Sequence, residues 1–398
     1  MKPREPGKEK THLPHLLAHS DPSFALLLAT LRWPDDDRRR EAIGRAAIEA
    51  IDWRRFAALA VRHRVAPLAF HGVNSARVNV PDWLAPLSRD VRRNALFCEL
   101  GIAAELTRLQ SLFGKAGIDL IALKGPAQSL RSFGRFGMRI NRDLDILIPP
   151  DSCDAAEALL IDAGYTLVEP NAPLRGEARH HWLRNHKDMV FRSPDRKAMV
   201  ELHWRLFDNA ALMPASTLPR AIPLGIDPLR HIRVLPNDAN LRYLCHHGAQ
   251  HGWSRLKWLA DVSALLAGCE PDLLGRLHKP EGDGPDQAAA QALLLCQQLL
   301  GAELPADISA DLARSSRARW LAKLAWNEIL RSDTEEIEAR RFGSTIKNAS
   351  HYALNGGWRY WTEELRFDLT VTPRRQLASN EAGRGRLHGW MRRHFSLR

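Results

Sequence analysis

The spacing of apolar residues divides the chain into a helical first third, a short mixed segment and a helical second half. Up to residue 116, and again after residue 236, apolar side chains recur every three or four positions, which is the period of an amphipathic helix. The predicted helices are 23–33, 36–51, 52–63, 84–116, 152–164, 237–251, 254–267, 286–301 and 308–331.

Between residues 117 and 207 the period shortens and strands are predicted. IDLIAL at 118–123 is a short apolar run between glycines, DLDILIP at 143–149 alternates, and YTLVE is a further short strand. NHKDMVFRS and KAMVELHWRLF are predicted to be two strands joined by the turn SPDR. The expected fold class is therefore α+β, with a small mixed β-sheet enclosed by N-terminal and C-terminal helices. The predicted regions are a disordered tail (1–20), an N-terminal helical region (21–116), the mixed core (117–207), a C-terminal helical region (208–345) and an extension with a basic tail (346–398).

Two aspartates lie inside the strand at 143–149. Side chains two residues apart share one face of a strand, so Asp143 and Asp145 lie together, opposite the apolar face. By the same alternation Glu201 and His203 project together from the later strand. Buried carboxylates are costly and repel one another. If the two strands are neighbours, Asp143, Asp145 and Glu201 converge, and Mg²⁺ or Mn²⁺ would neutralise them.

The motifs around these acids resemble a known superfamily. ALKGPAQSLRSFGRFGMRINRDLDILI, then VELHWRL, then LCHHGAQHGWSRLKWLADV, resemble the nucleotidyltransferases with a DNA polymerase β-type palm, and within them the uncharacterised bacterial nucleotidyltransferase family. The resemblance extends over roughly 20–370 and implies a palm at 117–207. It also implies metal-dependent transfer of an NMP group from an NTP to a hydroxyl acceptor, with release of pyrophosphate. A small molecule, peptide or protein is favoured over RNA as the acceptor.

The resemblance also implies roles for individual residues. Asp143, Asp145 and Glu201 correspond to the catalytic, metal-binding carboxylates. Lys124 and Gly125 fall at the phosphate-binding turn, where many active members have Gly-Ser and this chain has Lys-Gly-Pro. Ser129 lies one turn further on. The missing serine leaves a second interpretation open, a non-catalytic nucleotide- or RNA-binding module that keeps the palm.

Further basic residues are candidates for contacts with the nucleotide. Arg139, four residues before the first aspartate, is placed to contact phosphate oxygens in a bidentate manner. His203, His247 and Lys257 complete the set of predicted nucleotide-binding residues. His247 and His251 have a spacing that zinc can use, but the glutamate of a hydrolytic HExxH site is absent. The alternatives for this helix are lining the nucleotide pocket, pairing with Asp261, or core packing.

Two further histidine predictions concern the segment before the last strands. His186 is expected to face the pocket, whereas His180 and His181 are expected to lie in a loop.

The composition predicts an anionic binding partner and a cellular location. The net charge of +11 calls for a nucleotide, nucleic acid or lipid headgroup. After Pro373, seven arginines face one glutamate, which is typical of a solvated tail or of a segment that binds an anionic partner. Five scattered cysteines without a CxxC pair favour reduced thiols and a cytoplasmic location. No apolar run approaches the ~18–20 residues of a membrane span.

Overall fold

A computed structural model describes residues 21–141, 143–195, 198–214, 216, 218–279, 286–330 and 349–370. The predicted tails, 1–20 and the arginine-rich segment from 373, lie outside the described residues. Across the described residues, no helix combines the length and apolar character needed to cross a membrane. All five cysteines are free thiols, and Cys153, Cys245 and Cys296 are buried.

The α+β class predicted from the sequence is confirmed, and most predicted helices form within a few residues of their expected bounds. The helices are α1 (Pro22–Thr30), α2 (Asp37–Ala46), α3 (Trp53–Arg62), α4 (Ala66–Ser75), α5 (Leu84–Lys115), α6 (Pro126–Phe133), α7 (Cys153–Asp162), α8 (Gly176–Asn185), α9 (Asn237–Gln250), α10 (Leu256–Leu266), α11 (Pro271–His278), α12 (Gln287–Leu295), α13 (Ala306–Arg314), α14 (Ser316–Leu330) and α15 (Trp358–Thr370).

Aspartates begin the first three helices. The side chains of Asp21, Asp36 and Asp52 accept hydrogen bonds from backbone N–H groups of the first helical turn that follows. These N–H groups have no partner within the helix, so each aspartate satisfies a donor that would otherwise be unpaired.

Within the described part of the chain, seven strands form one mixed sheet in the order β3-β4-β5-β2-β1-β7-β6. They are β1 (Ile121–Ala122), β2 (Asp143–Leu147), β3 (Thr166–Glu169), β4 (Asp188–Arg192), β5 (Met199–His203), β6 (Ile222–Pro223) and β7 (Arg233–Val234). The central strand β2 is parallel to β5 and antiparallel to β1, while β4 is antiparallel to β5. The β4–β5 hairpin predicted around the SPDR turn is therefore present.

The two faces of the sheet have different neighbours. Leu144 and Ile146 of β2 and Val200 and Leu202 of β5 are at most 1% exposed and pack with α5 and α7 in one hydrophobic cluster. A second, larger cluster joins the N-terminal helices to the C-terminal ones. Within it the ring of Phe24 packs edge-on against Trp326, which lies on α14. The polar face of β2 and β5 is therefore directed away from the first cluster.

Three local predictions were wrong. His180 and His181 lie on α8 rather than in a loop, because a helical turn forms from Gly176 onward. The predicted helix 308–331 is two helices, α13 and α14, separated at Ser315. The predicted strand 118–123 contributes only two residues to regular pairing, although the Leu123 N–H still donates to the Asp145 carbonyl at 3.1 Å.

Candidate metal and nucleotide site

The acidic residues of β2 and β5 lie side by side on one face of the sheet. In the parallel pairing Asp145 is in register with Glu201, and Asp143 is in register with Met199. Asp145 is 5% exposed, whereas Asp143, at the first position of β2, is exposed. The two strands therefore bring together the three carboxylates that the sequence placed on a common face.

The tightest cluster combines two of these acids with a histidine. One oxygen of Asp145, one oxygen of Glu201 and one ring nitrogen of His203 lie within 4.8 Å of one another. The distance from His203 Nε2 is 3.5 Å to Asp145 Oδ1 and 3.4 Å to Glu201 Oε2. Asp143 lies outside this cluster. Burial and Lys187 disfavour the imidazolium, but Asp145 and Glu201 outweigh them and raise the pKa of His203.

Lys187 and Asp188 also belong to this face, and sequence reasoning missed both. Asp188 of β4 is in register with His203, and its Oδ2 lies 3.8 Å from His203 Nε2. The Lys187 ammonium contacts Asp188 and lies 3.9 Å from Glu201 Oε2. The alternation of the strand NHKDMV, together with the hairpin predicted around SPDR, could have placed Asp188 on the polar face beside β5.

Lys124 is tied to the central carboxylate. Its Nζ lies 2.8 Å from Asp145 Oδ1 and 3.4 Å from His247 Nε2, and 5.8 Å from the centre of the Tyr243 ring. Burial disfavours the ammonium, but Asp145, together with Tyr243 and Glu201, outweighs burial and raises the pKa of Lys124. Burial likewise disfavours ionised Asp145, and Lys124 reverses this, so the pKa of Asp145 lies well below its usual range. Both groups are therefore charged at neutral pH.

Gly125 makes the turn between β1 and α6. Its φ of +69° and ψ of −142° form a backbone conformation that L side chains rarely adopt. A Cβ at this position would lie 3.9 Å from the Asp143 carbonyl oxygen, so the turn packs directly against the start of β2. The N-terminus of α6, where helices present unpaired N–H groups, therefore begins beside the acidic residues.

Ser129 does not face the acidic cluster. It is fully buried, and its hydroxyl donates a hydrogen bond to Glu99 on α5. Glu99 also accepts from the Gly137 N–H at 2.6 Å and from the Asn141 side chain. Burial raises the pKa of Glu99, and these donors oppose that effect. Ser129 thus helps to attach the glycine-rich loop to α5.

Arg139 is held by a buried carboxylate. Its Nε lies 2.8 Å from Asp261 Oδ1, its Nη2 donates to Asp261 Oδ2 at 2.9 Å, and its Nη1 donates to the Gly125 carbonyl at 2.9 Å. This is a bidentate contact with Asp261 on α10, and the phosphate contact of Arg139 stays a prediction. The guanidinium therefore fixes the glycine-rich loop against α10.

Aromatic rings and Lys257 form the helical side of the site. His247 contacts His251 edge-on at 4.6 Å between ring centres, and His251 stacks on Trp258 at 4.7 Å. Lys257 Nζ lies 5.2 Å from the centre of the Trp258 ring. Burial, followed by the nearby cations Arg64, Arg139 and Lys124, lowers the pKa of Lys257 to about 7. Such a group gains its charge when an anion is bound nearby.

His186, which the sequence directed toward the pocket, lies just before β4. It is buried and stacks on the Trp182 indole at 3.8 Å between ring centres. The burial of His186 is therefore explained by its packing against Trp182.

Comparison with known proteins identifies the family to which the chain belongs. The sequence model of a family described as "Uncharacterised nucleotidyltransferase" matches residues 49–301, more than half of the chain. The chain belongs to this nucleotidyltransferase family. No curated protein gives a significant match. The matched range includes β2, β5, Lys124, Arg139 and Lys257.

The donor set of this site fits a divalent cation. Ligand atoms on one small divalent ion at 2.0–2.2 Å are about 3–3.5 Å apart. The distances of 3.4 and 3.5 Å from His203 Nε2 to the oxygens of Glu201 and Asp145 match that spacing. The residues Asp145, Glu201 and His203 can therefore hold a metal ion.

Proposed function

We propose that the protein transfers a nucleoside monophosphate from an NTP to a hydroxyl acceptor and releases pyrophosphate. The observation that carries this proposal is the registered pair Asp145 and Glu201 on neighbouring parallel strands, with Lys124 bound to Asp145. The family membership of residues 49–301 supports it. Phosphoryl transfer depends mainly on positioning and charge neutralisation, and this site is built from charged groups.

The polar face offers separate places for the ion and for the triphosphate. Asp145 and Glu201 would bind Mg²⁺ or Mn²⁺, which when bound neutralises phosphate charge and stabilises the leaving pyrophosphate. Lys124 and Lys257 supply positive charge for the triphosphate, and the N-terminus of α6 at Gly125 can add backbone N–H donors. Lys124 thus replaces the serine donor that this turn lacks.

Asp143 is our candidate for accepting the proton of the acceptor hydroxyl. It is exposed and makes no ion pair with any described residue. Partial desolvation of its carboxyl group, then the charges of Glu201 and Asp145, raises its pKa, which makes it a stronger base than an ordinary aspartate. As that proton moves to Asp143, the hydroxyl oxygen bonds to the α-phosphorus. The bond between the α-phosphorus and the oxygen that bridges it to the β-phosphorus breaks, and pyrophosphate leaves with that oxygen.

The test uses each of the four NTPs labelled at the α-phosphate, with Mg²⁺ or Mn²⁺. Label transfer to the protein or to fractionated cell extract, together with pyrophosphate release, is measured for wild type, Asp145→Asn and the matched control Asp162→Asn. Asp162 is exposed at the end of α7. We expect transfer by wild type and Asp162→Asn and none by Asp145→Asn. Equal transfer by Asp145→Asn, or no pyrophosphate from any NTP, would refute the proposal.

A second candidate function is nucleotide binding without turnover. It is favoured by the engagement of Ser129 with Glu99 and of Arg139 with Asp261, which withdraws two predicted phosphate donors from the site. Calorimetry separates the two functions. Nucleotide affinity that survives Asp145→Asn, in a protein that forms no product, would support the binding module.

A further inference from the structure

We propose that His203 coordinates the metal ion directly, together with Asp145 and Glu201, and that the site therefore prefers Mn²⁺ to Mg²⁺. This inference rests on the metal-binding part of the proposed function and requires neither a particular acceptor nor turnover.

The buried imidazole of His203 lies near carboxylates but makes no hydrogen bond of normal geometry. His203 is 1% exposed, and neither ring nitrogen has a hydrogen-bond partner among the residues that the structure describes. A buried polar atom without a hydrogen bond is costly, so such atoms are rare in folded proteins. The Nε2 atom nevertheless lies between the carboxylates of Asp145 and Glu201, at distances suited to shared coordination.

The backbone sets the direction of the His203 ring. His203 is the last residue of β5, in register with Leu147 of β2 and Asp188 of β4. Since alternate residues of a strand share a face, His203 projects on the same side as Glu201. Its neighbours Leu202 and Trp204 are buried in the opposite cluster. The imidazole therefore cannot leave the acidic face without reversing the alternation of β5.

A nitrogen ligand changes which metal ion the site prefers. Mg²⁺ strongly favours oxygen ligands and usually keeps several waters, whereas imidazole is a good ligand for the first-row transition metals. Mn²⁺ accepts both carboxylate oxygen and imidazole nitrogen. Replacing one oxygen ligand by His203 Nε2 therefore shifts affinity away from Mg²⁺ and towards Mn²⁺.

The experiment measures metal binding by the full-length protein without nucleotide. Free Mn²⁺ is followed by EPR during titration, Mg²⁺ is added as competitor, and electron spin-echo modulation of the bound ion reports nitrogen coordination. We expect one Mn²⁺ per chain, an affinity at least about tenfold above that for Mg²⁺, and ¹⁴N modulation. His203→Gln should lose the modulation and most of the preference, whereas the exposed control His231→Gln should keep both.

Three results would overturn the inference: no Mn²⁺ binding, bound Mn²⁺ without ¹⁴N modulation, or equal affinity for Mg²⁺. If His203→Gln does not fold, wild-type protein labelled with ¹⁵N-histidine decides the matter, because a coordinated imidazole then changes its modulation frequencies. Label transfer by a protein whose Mn²⁺ lacks nitrogen coordination would refute this inference alone. Nitrogen-coordinated Mn²⁺ without any label transfer would instead count against the proposed function.

Discussion

Arg139 and Asp261 form a two-point ion pair that joins the glycine-rich loop to α10, with contacts of 2.8 and 2.9 Å. The side chains are 11% and 2% exposed, respectively. The loop leads directly into β2, so this pair helps to set the position of the first acidic residue. A residue that sequence reasoning assigned to phosphate is thus engaged with a helix more than a hundred residues later in the chain.

Breaking this pair should destabilise the fold. We expect Arg139→Gln to lower the free energy of unfolding by about 3–5 kcal/mol, because it leaves the Asp261 carboxylate buried and uncompensated. Urea denaturation measures the change. Arg184→Gln, an exposed arginine on α8, is the control and should alter stability by less than about 0.5 kcal/mol. Unchanged stability of Arg139→Gln, with a raised KM for the NTP, would instead show that Arg139 contacts phosphate.

Asp143→Asn should stabilise the metal-free protein while it abolishes transfer. The folded-state pKa of Asp143 is raised by its enclosure and then by Glu201 and Asp145, so ionised Asp143 disfavours folding at neutral pH. As the pH falls through that raised pKa, protonation removes the penalty. The asparagine should remove it at every pH. Thermal unfolding in EDTA at pH 7 should give a higher Tm for the variant, and a lower Tm would contradict the prediction.

Lys257 should make nucleotide affinity depend on pH near neutrality. Its pKa is lowered to about 7 by burial and by neighbouring cations, so the ammonium is present below that pH and is lost above it. We expect the NTP to bind more weakly as the pH rises from about 6 to 8. Lys257→Arg keeps its charge over this range and should flatten the profile. Calorimetric titration measures the affinity, and identical profiles for both proteins would exclude this role.

Gly248 should be intolerant of any side chain. A Cβ at this position of α9 would lie 2.3 Å from the ring of Trp253, which is fully buried in the turn before α10. We expect Gly248→Ala to cost about 1–3 kcal/mol of stability through overpacking. Gly101→Ala is the matched control, because α5 leaves open space there, and it should stabilise by about 0.5–1 kcal/mol. Equal effects in chemical denaturation would refute the argument.

Local periodicity predicted the acidic face well, for a physical reason. Alternation along a strand is fixed by the backbone, so the shared orientation of Asp143 and Asp145, and that of Glu201 and His203, followed from sequence spacing alone. Their meeting required β2 and β5 to be neighbours. That was an assumption, which the observed register between Asp145 and Glu201 now supports.

Partners chosen by tertiary packing could not be predicted in the same way. Nothing in the spacing of Ser129 or Arg139 indicates that one donates to Glu99 and the other to Asp261. Ser129 was considered because it follows the phosphate-binding turn that lacks a serine, and Arg139 because it lies four residues before Asp143. The sequence pattern specifies the direction in which a side chain points. The residues that it contacts lie on helices that are distant in the sequence.

The three donors that converge on Glu99 tie together segments that are distant in sequence. Its carboxylate receives the Ser129 hydroxyl, the Gly137 amide and the Asn141 side chain. Replacement of Glu99 alone would leave several buried donors without an acceptor. We therefore expect substitutions at position 99 to be accompanied by substitutions at positions 129 and 141. We expect these three positions to covary among relatives, as an inherited unit that preserves the shape of the loop.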